Sequence, residues 1–218
     1  MKLHEREDRI FDKYRARGEQ IIRDGAITEE YEAAGARLLV ILKEPNDTTG
    51  NWVKSNGDMR SFGASGGRAA TWNNLARWSA LFYNPRLRIE EIDVSNQAKR
   101  SDYLRRIAVV NLKKIPGGGT ADLSSVKRFA TRHWDLLEEQ LKLCRPTMTI
   151  AGGCFDILAE LVGSTVVLQE GGRFPFFKDQ HLGACVSFYH PQPRFRPSSK
   201  LLFLYLKQQL NYHQRLSR

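Results

Sequence analysis

Short, strongly apolar runs recur along this chain with helical patterns between them, and that alternation constrains the fold more than any other feature. RLLVILK (37–43), IAVVNL (107–112), TMTIA (147–151) and ACVSFY (184–189) are each as long as a strand. They hold too few polar positions to leave one face in water, so each reads as a strand buried on both faces. Between them, residues 69–82 place Trp72, Leu75, Ala76, Trp78 and Leu81 at helical spacing, and residues 123–143 do the same with Val126, Phe129, Trp134, Leu137 and Leu141. Gly152-Gly153 opens a helix through Phe155, Leu158 and Leu161, 166–168 reads as a short strand, and a last helix covers 200–214. This order predicts an α/β fold, a three-layer α/β/α arrangement around a mainly parallel central sheet.

Residues 1–35 form an N-terminal helical segment, with a helix over 9–24 and a weak second one after Thr28, packed on a domain of residues 36–218. Residues 48–67, rich in Gly, Ser, Asn and Thr, predict a long loop of the kind that is usually functional. The longest apolar runs fall well short of the roughly 20 residues of a membrane span, and charges occupy the place of a signal's apolar stretch. A cytoplasmic protein is the expectation. Cys144, Cys154 and Cys185 are odd in number and widely spaced, which predicts reduced, buried thiols.

The formal charge of +10 is unevenly placed. Residues 1–35 carry 7 basic and 9 acidic side chains, so the remaining 183 residues hold 27 basic against 15 acidic, a net +12. From Arg173 onward there are 8 basic residues and one acid, interleaved with Phe174, Phe176, Phe177, Tyr189 and Phe195. Cations that displace condensed counterions, beside aromatic faces that stack on bases, fit a polyanion partner. A solvated basic surface around an aromatic core is the plainer alternative.

In open α/β sheets ligands bind outside the carboxyl ends of the strands. Three polar residues stand there: Glu44, Asn111 and His190. Glu44, before Pro45, is placed to orient a water or balance a developing cation; alternatively it only ends the strand or pairs with a lysine such as Lys43. Asn111 offers the donor and acceptor that read a base edge, or else caps the turn toward Pro116. His190, entering Pro191-Gln192-Pro193, is suited to stabilise an oxygen that gains negative charge, although a lone histidine at a strand end is often structural. Three such ends on one sheet edge would make a cleft with complementary roles.

The order of these motifs resembles the uracil-DNA glycosylase superfamily. The counterparts are Leu42-Lys43-Glu44-Pro45-Asn46, Val109-Val110-Asn111 and His190-Pro191-Gln192-Pro193, over residues 37–197, with 147–153 similar to the family's glycine-ended strand. The resemblance implies that Glu44 activates water or stabilises the sugar cation, that Asn111 reads the extruded base, and that His190 stabilises the departing base anion. Two departures are visible: the first motif lacks a leading glycine, and Arg194 stands where a leucine often wedges into the duplex. With three cysteines the chain lacks the four that an iron-sulfur branch of the family uses.

The expected activity is therefore a monofunctional DNA glycosylase that flips out a base, cleaves its N-glycosidic bond and leaves an abasic site, needing no cofactor. Uracil or another modified base would be the substrate, including a bulky modified cytosine of viral DNA, so that repair and antiviral defence both stay open. Phe62 and Trp52 are the candidates to stack on the base, and Arg68, Lys113, Lys114, Arg194 and Arg196 the candidate DNA contacts. His4, His133, His181, His190 and His213 lack ligand spacing, so no metal is expected, and the partner is DNA bound by a monomer. A catalytically silent nucleic-acid binder on the same fold and a nucleoside hydrolase are the rival readings, the latter disfavoured by the domain's charge.

Overall fold

The computed structural model describes residues 1–47, 57–118, 120–168, 174–191 and 198–216, without the side chains of 69, 70 and 212–216. Six strands are present among them: β1 (Gly25–Ala26), β2 (Leu38–Leu42), β3 (Ile107–Asn111), β4 (Met148–Gly152), β5 (Phe176–Asp179) and β6 (Gly183–Phe188). They form one sheet in the order β1-β3-β2-β4-β6-β5. The four central strands are parallel, with Leu42 opposite Asn111, Leu38 opposite Met148 and Gly152 opposite Phe188. Both edge strands are antiparallel, so the sheet is mixed.

Every residue of β2, β3 and β4 is buried. The alternation of a strand sends neighbours to opposite faces. Val40, Val109 and Ile150 share one apolar cluster with Leu75 and Trp78 of α4 (Ala69–Tyr83) and with Leu202 and Leu206 of α9 (Ser199–Leu216). Ile41, Val110 and Ala151 share another with Val126 of α6 (Leu123–Arg132), Leu137 and Leu141 of α7 (Trp134–Cys144) and Leu158 of α8 (Phe155–Val162). Helices thus cover both faces, which is compatible with three layers. Each fully buried aliphatic side chain contributes roughly 1.5–3 kcal/mol.

Several elements depart from the sequence expectation. The first helix, α1 (Leu3–Ala16), starts earlier than expected and ends well before residue 24, because Gly18 at φ 81° turns the chain out of the helix. The stretch 17–24 then leads into β1, so residues of the N-terminal segment supply an edge of the sheet. Beyond it lies the short α2 (Glu30–Ala33), where the Thr28 hydroxyl accepts from the Glu30 amide. Part of the predicted long loop is a helix, α3 (Met59–Ala64), capped by the Asp58 carboxylate accepting from the Arg60 amide. A further helix, α5 (Gln97–Leu104), capped by Asn96, has too few apolar residues to announce itself. The expected helix over 123–143 is divided at His133 into α6 and α7. Val167 makes only an isolated bridge to Phe176, and no strand forms at 166–168. All three cysteines are buried and unbridged. No described helix is long and apolar enough to cross a membrane.

Candidate functional site

Because β2, β3, β4 and β6 run parallel, their carboxyl ends lie along one edge of the sheet, and the chain leaves each strand there through polar residues. The segments after β2 and β3 continue side by side past the sheet: the amides of Leu112 and Lys113 donate to the carbonyls of Leu42 and Lys43, each at 2.9 Å, and that of Gly117 to Pro45 at 3.0 Å. This pairing sets Lys113 against Glu44, with Nζ donating to Oε2 at 2.8 Å. Both side chains are withdrawn from solvent, Glu44 at 5% and Lys113 at 14% exposure. The partner of Glu44 is therefore Lys113, not the adjacent Lys43. A Cβ at 117 would stand 1.8 Å from Glu44 Oε1, so any larger residue there would displace the carboxylate.

Asn111 ends β3 fully buried, and its surroundings fix its amide. The Asp24 carboxylate Oδ2 accepts from the Asn111 backbone N at 2.7 Å and from its Nδ2 at 3.1 Å, while Nδ2 also meets Met59 Sδ at 3.2 Å. The other carboxylate oxygen of Asp24 accepts from Lys114 Nζ at 2.7 Å and Gln140 Nε2 at 3.1 Å, and Lys114 also donates to Gln140 Oε1. Lys114 is thus a core residue, completely buried on a carboxylate behind the site, and cannot contact a DNA phosphate. Burial lowers its pKa, with Asp24 acting in the opposite direction. The Asn111 Oδ1 has no hydrogen-bond donor among the described residues. An acceptor buried without a donor costs about 1–3 kcal/mol, which a ligand donor would recover.

His190 follows β6 by two residues, and the turn after it is held from α4, where Asn74 Nδ2 donates to the Pro191 carbonyl at 2.6 Å. Gly153, at φ 74°, passes beneath with its ideal Cβ position 3.7 Å from that of His190. Between α3 and α4 the Phe62 and Trp72 rings meet edge to face with centroids 5.5 Å apart. Gly67, at φ 57°, lies so close under Trp72 that a Cβ would be 2.3 Å from the indole Cγ.

Together these groups line a cleft of about 320 Å³. Its walls include Glu44, Asn111 and His190 from the strand ends, Phe62 and Met59 from α3, and Arg68 and Trp72 at the start of α4. That volume is at the lower end of the roughly 300–1,000 Å³ typical of small-ligand sites. Five of the sequence-selected residues therefore come together: Glu44, Asn111, His190, Phe62 and Arg68. Lys113 stands behind Glu44 as its ion-pair partner. Trp52, Arg194 and Arg196 lie outside the described residues. Among the described residues no cluster of His, Cys, Asp and Glu could hold a metal ion.

Sequence reasoning missed Asp24, Gln140 and Asn74, which position the site from behind. Asp24 carried a legible signal, an acid followed by glycine inside the apolar stretch IIRDGAI. Trp72 reads as core from its helical spacing, and it is both core and cleft wall. The chain matches no protein-family model and no curated protein.

Proposed function

We propose that the protein is a monofunctional DNA glycosylase of uracil-DNA glycosylase-like fold, which flips one nucleotide into the strand-end cleft and hydrolyses its N-glycosidic bond. One observation carries this reading: Glu44, Asn111 and His190, separated by 67 and 79 positions in the chain, line a single cleft of about 320 Å³. The +12 charge of residues 36–218 suits a polyanionic substrate.

The chemistry divides between the two ends of the scissile bond. As the bond breaks, its electron pair leaves with the base, and cationic character develops on the sugar. The Glu44 carboxylate would face the sugar, balance that charge and orient the water that adds to C1′. The His190 imidazole would donate a hydrogen bond to the base as it gains negative charge. Phe62 and Trp72 offer aromatic faces and edges to the extruded ring, and Arg68 at the cleft rim suits a flanking phosphate. Lys113 holds the Glu44 carboxylate in place before the substrate arrives.

Single-turnover incubation with oligonucleotides carrying uracil, hypoxanthine, oxidised, hydroxymethylated or glucosylated bases, followed by alkaline strand scission, tests the proposal. An abasic product that falls about 100-fold or more in Glu44→Gln and in His190→Ala is the expected result. Product formation unchanged in both variants would remove the assigned roles. Salt-sensitive binding without product from any substrate would leave a silent nucleic-acid binder in place of the enzyme.

A further inference from the structure

We infer that Arg100, which lies outside the cleft, is a positioning residue for one of its walls: by clamping the carbonyls of Gly66 and Gly67 it fixes where Arg68 and Trp72 stand, and so where a bound DNA strand finds its phosphate contact. The inference rests on the glycosylase reading and adds to it a residue that acts on the ligand only through others.

Arg100 belongs to α5, no residue of which lines the cleft. It is buried, yet no carboxylate pairs with it among the described residues. Its guanidinium instead donates to three backbone carbonyls: from Nε to Gly66 at 2.7 Å, from Nη2 to Gly67 at 3.0 Å and from Nη1 to Val94 at 3.1 Å. Bonds from an ionised donor are the stronger kind, and a planar fork that spans two consecutive carbonyls fixes the peptide planes that carry them. Desolvating the cation offsets much of what these bonds contribute to stability; the fixed geometry of the turn remains. Gln97 Nε2 adds a longer bond to Gly67 at 3.3 Å, and Ser101 Oγ donates to the Ala64 carbonyl at 2.5 Å, so α5 grips the passage from α3 to α4 at several points. That passage is tight. Gly66, at φ 92°, comes so near α5 that a Cβ would stand 2.0 Å from the Gln97 carbonyl oxygen, and the Gly67 amide donates back to the Phe62 carbonyl at 2.8 Å. Arg68 follows directly, and Trp72 stands one helical turn later with Gly67 beneath its indole. A shift of the turn therefore does not stay local: it moves the guanidinium at the cleft rim and the ring on the cleft wall together.

The test compares Arg100→Lys, which keeps the charge and loses the fork, with Arg68→Ala and with the double variant. Each is titrated with a fluorescein-labelled DNA duplex carrying a tetrahydrofuran abasic analogue, across about 50–200 mM KCl. If Arg68 meets one phosphate, Arg68→Ala should flatten the slope of log K against log[salt] by about 0.9. Arg100→Lys should flatten it by a similar amount although no charge is lost, and the double variant should lose no more than the larger single change. Leu158→Ala, a destabilising change on α8 at the other face of the sheet, should leave the slope as in wild type, which separates positioning from loss of stability. An unchanged slope in either single variant, or losses that add in the double, overturns the inference. Should Arg100→Lys fail to fold, Arg100→Gln, which keeps a donor for one carbonyl, replaces it with the same expectations. If the wild type binds no oligonucleotide, the glycosylase reading fails, and the placing of the wall by Arg100 is decided by Trp72 alone. In protein labelled with 5-fluorotryptophan, Arg100→Lys should move the Trp72 fluorine resonance, identified by its absence in Trp72→Phe, while that of Trp134 on α7 stays in place. A Trp72 resonance that does not move overturns the inference whether or not DNA is bound.

Discussion

Lys113 and Lys114 are adjacent in the chain, yet they serve two different regions of the molecule. Lys113 pairs with Glu44 behind the cleft wall, while Lys114 turns inward and pairs with Asp24 in a fully buried cluster. The cleft side must keep its charged groups available to a ligand; the rear side can satisfy its charges permanently. A buried ion pair is weak as a source of net stability, since desolvation offsets much of the attraction, but its geometry is fixed once formed. The rear cluster thus orients Asn111, and the front pair orients Glu44. Glu44 and Asn111, both on the cleft wall, are each held by a charged side chain that does not line the cleft.

The sharpest way to break this contrast is to remove one member of the rear pair. Lys114→Ala leaves the Asp24 carboxylate buried with its main counter-charge gone, and should lower the unfolding free energy by roughly 3–5 kcal/mol in urea titration. The matching change in front, Lys113→Ala, should cost less, about 1–3 kcal/mol, because Glu44 sits at the cleft and can recover hydration. Similar losses for the two variants would erase the distinction between the regions.

A second buried cluster adds pH to the comparison. Glu7 on α1 is fully buried beside Arg60, and burial outweighs the attraction of Arg60 and the hydrogen bond from the Ala26 amide, raising its pKa to about 8 from 4.5. The folded state therefore holds a proton that the unfolded chain releases first. Stability should fall as the pH rises from about 4.5 to about 8, by at most ~1.4 kcal/mol per pH unit from this group, and level off above. Thermal unfolding across that range should show the slope flattened in Glu7→Gln. The smallest effect belongs to the exposed pair that joins the same helix to α7, Lys13 with Glu139 at 2.7 Å. Lys13→Ala should change stability by less than about 1 kcal/mol, and that change should vanish in high salt.

The central sheet was legible because its strands are buried on both faces, and continuous apolar runs such as 38–42 and 107–110 are as long as a strand and too short for most helices. Glu44, Asn111 and His190 were legible for a related reason: a polar group at the end of an apolar strand of a parallel sheet must emerge at the same edge as its counterparts. Elements whose apolar residues are few, α3 and α5, carry their signal in caps at Asp58 and Asn96 and gave no periodicity to read. The fate of Lys114 was hidden because its partners, Asp24 and Gln140, are 90 and 26 positions away, and a lysine two residues beyond Leu112 looks solvent-bound by local rules. Charge in a sequence states the sign of a residue; only tertiary pairing states which region it serves.

Coupling between strand-end residues tests the central claim most directly. Single-turnover excision rates should be measured for Glu44→Gln, His190→Ala and the double variant, each verified as folded, on the substrate that wild type cleaves fastest. If both groups act on the two ends of one glycosidic bond, the double variant should lose distinctly less than the product of the two single losses. Independent, fully multiplicative losses, or an active double variant, would contradict a shared nucleotide in the cleft.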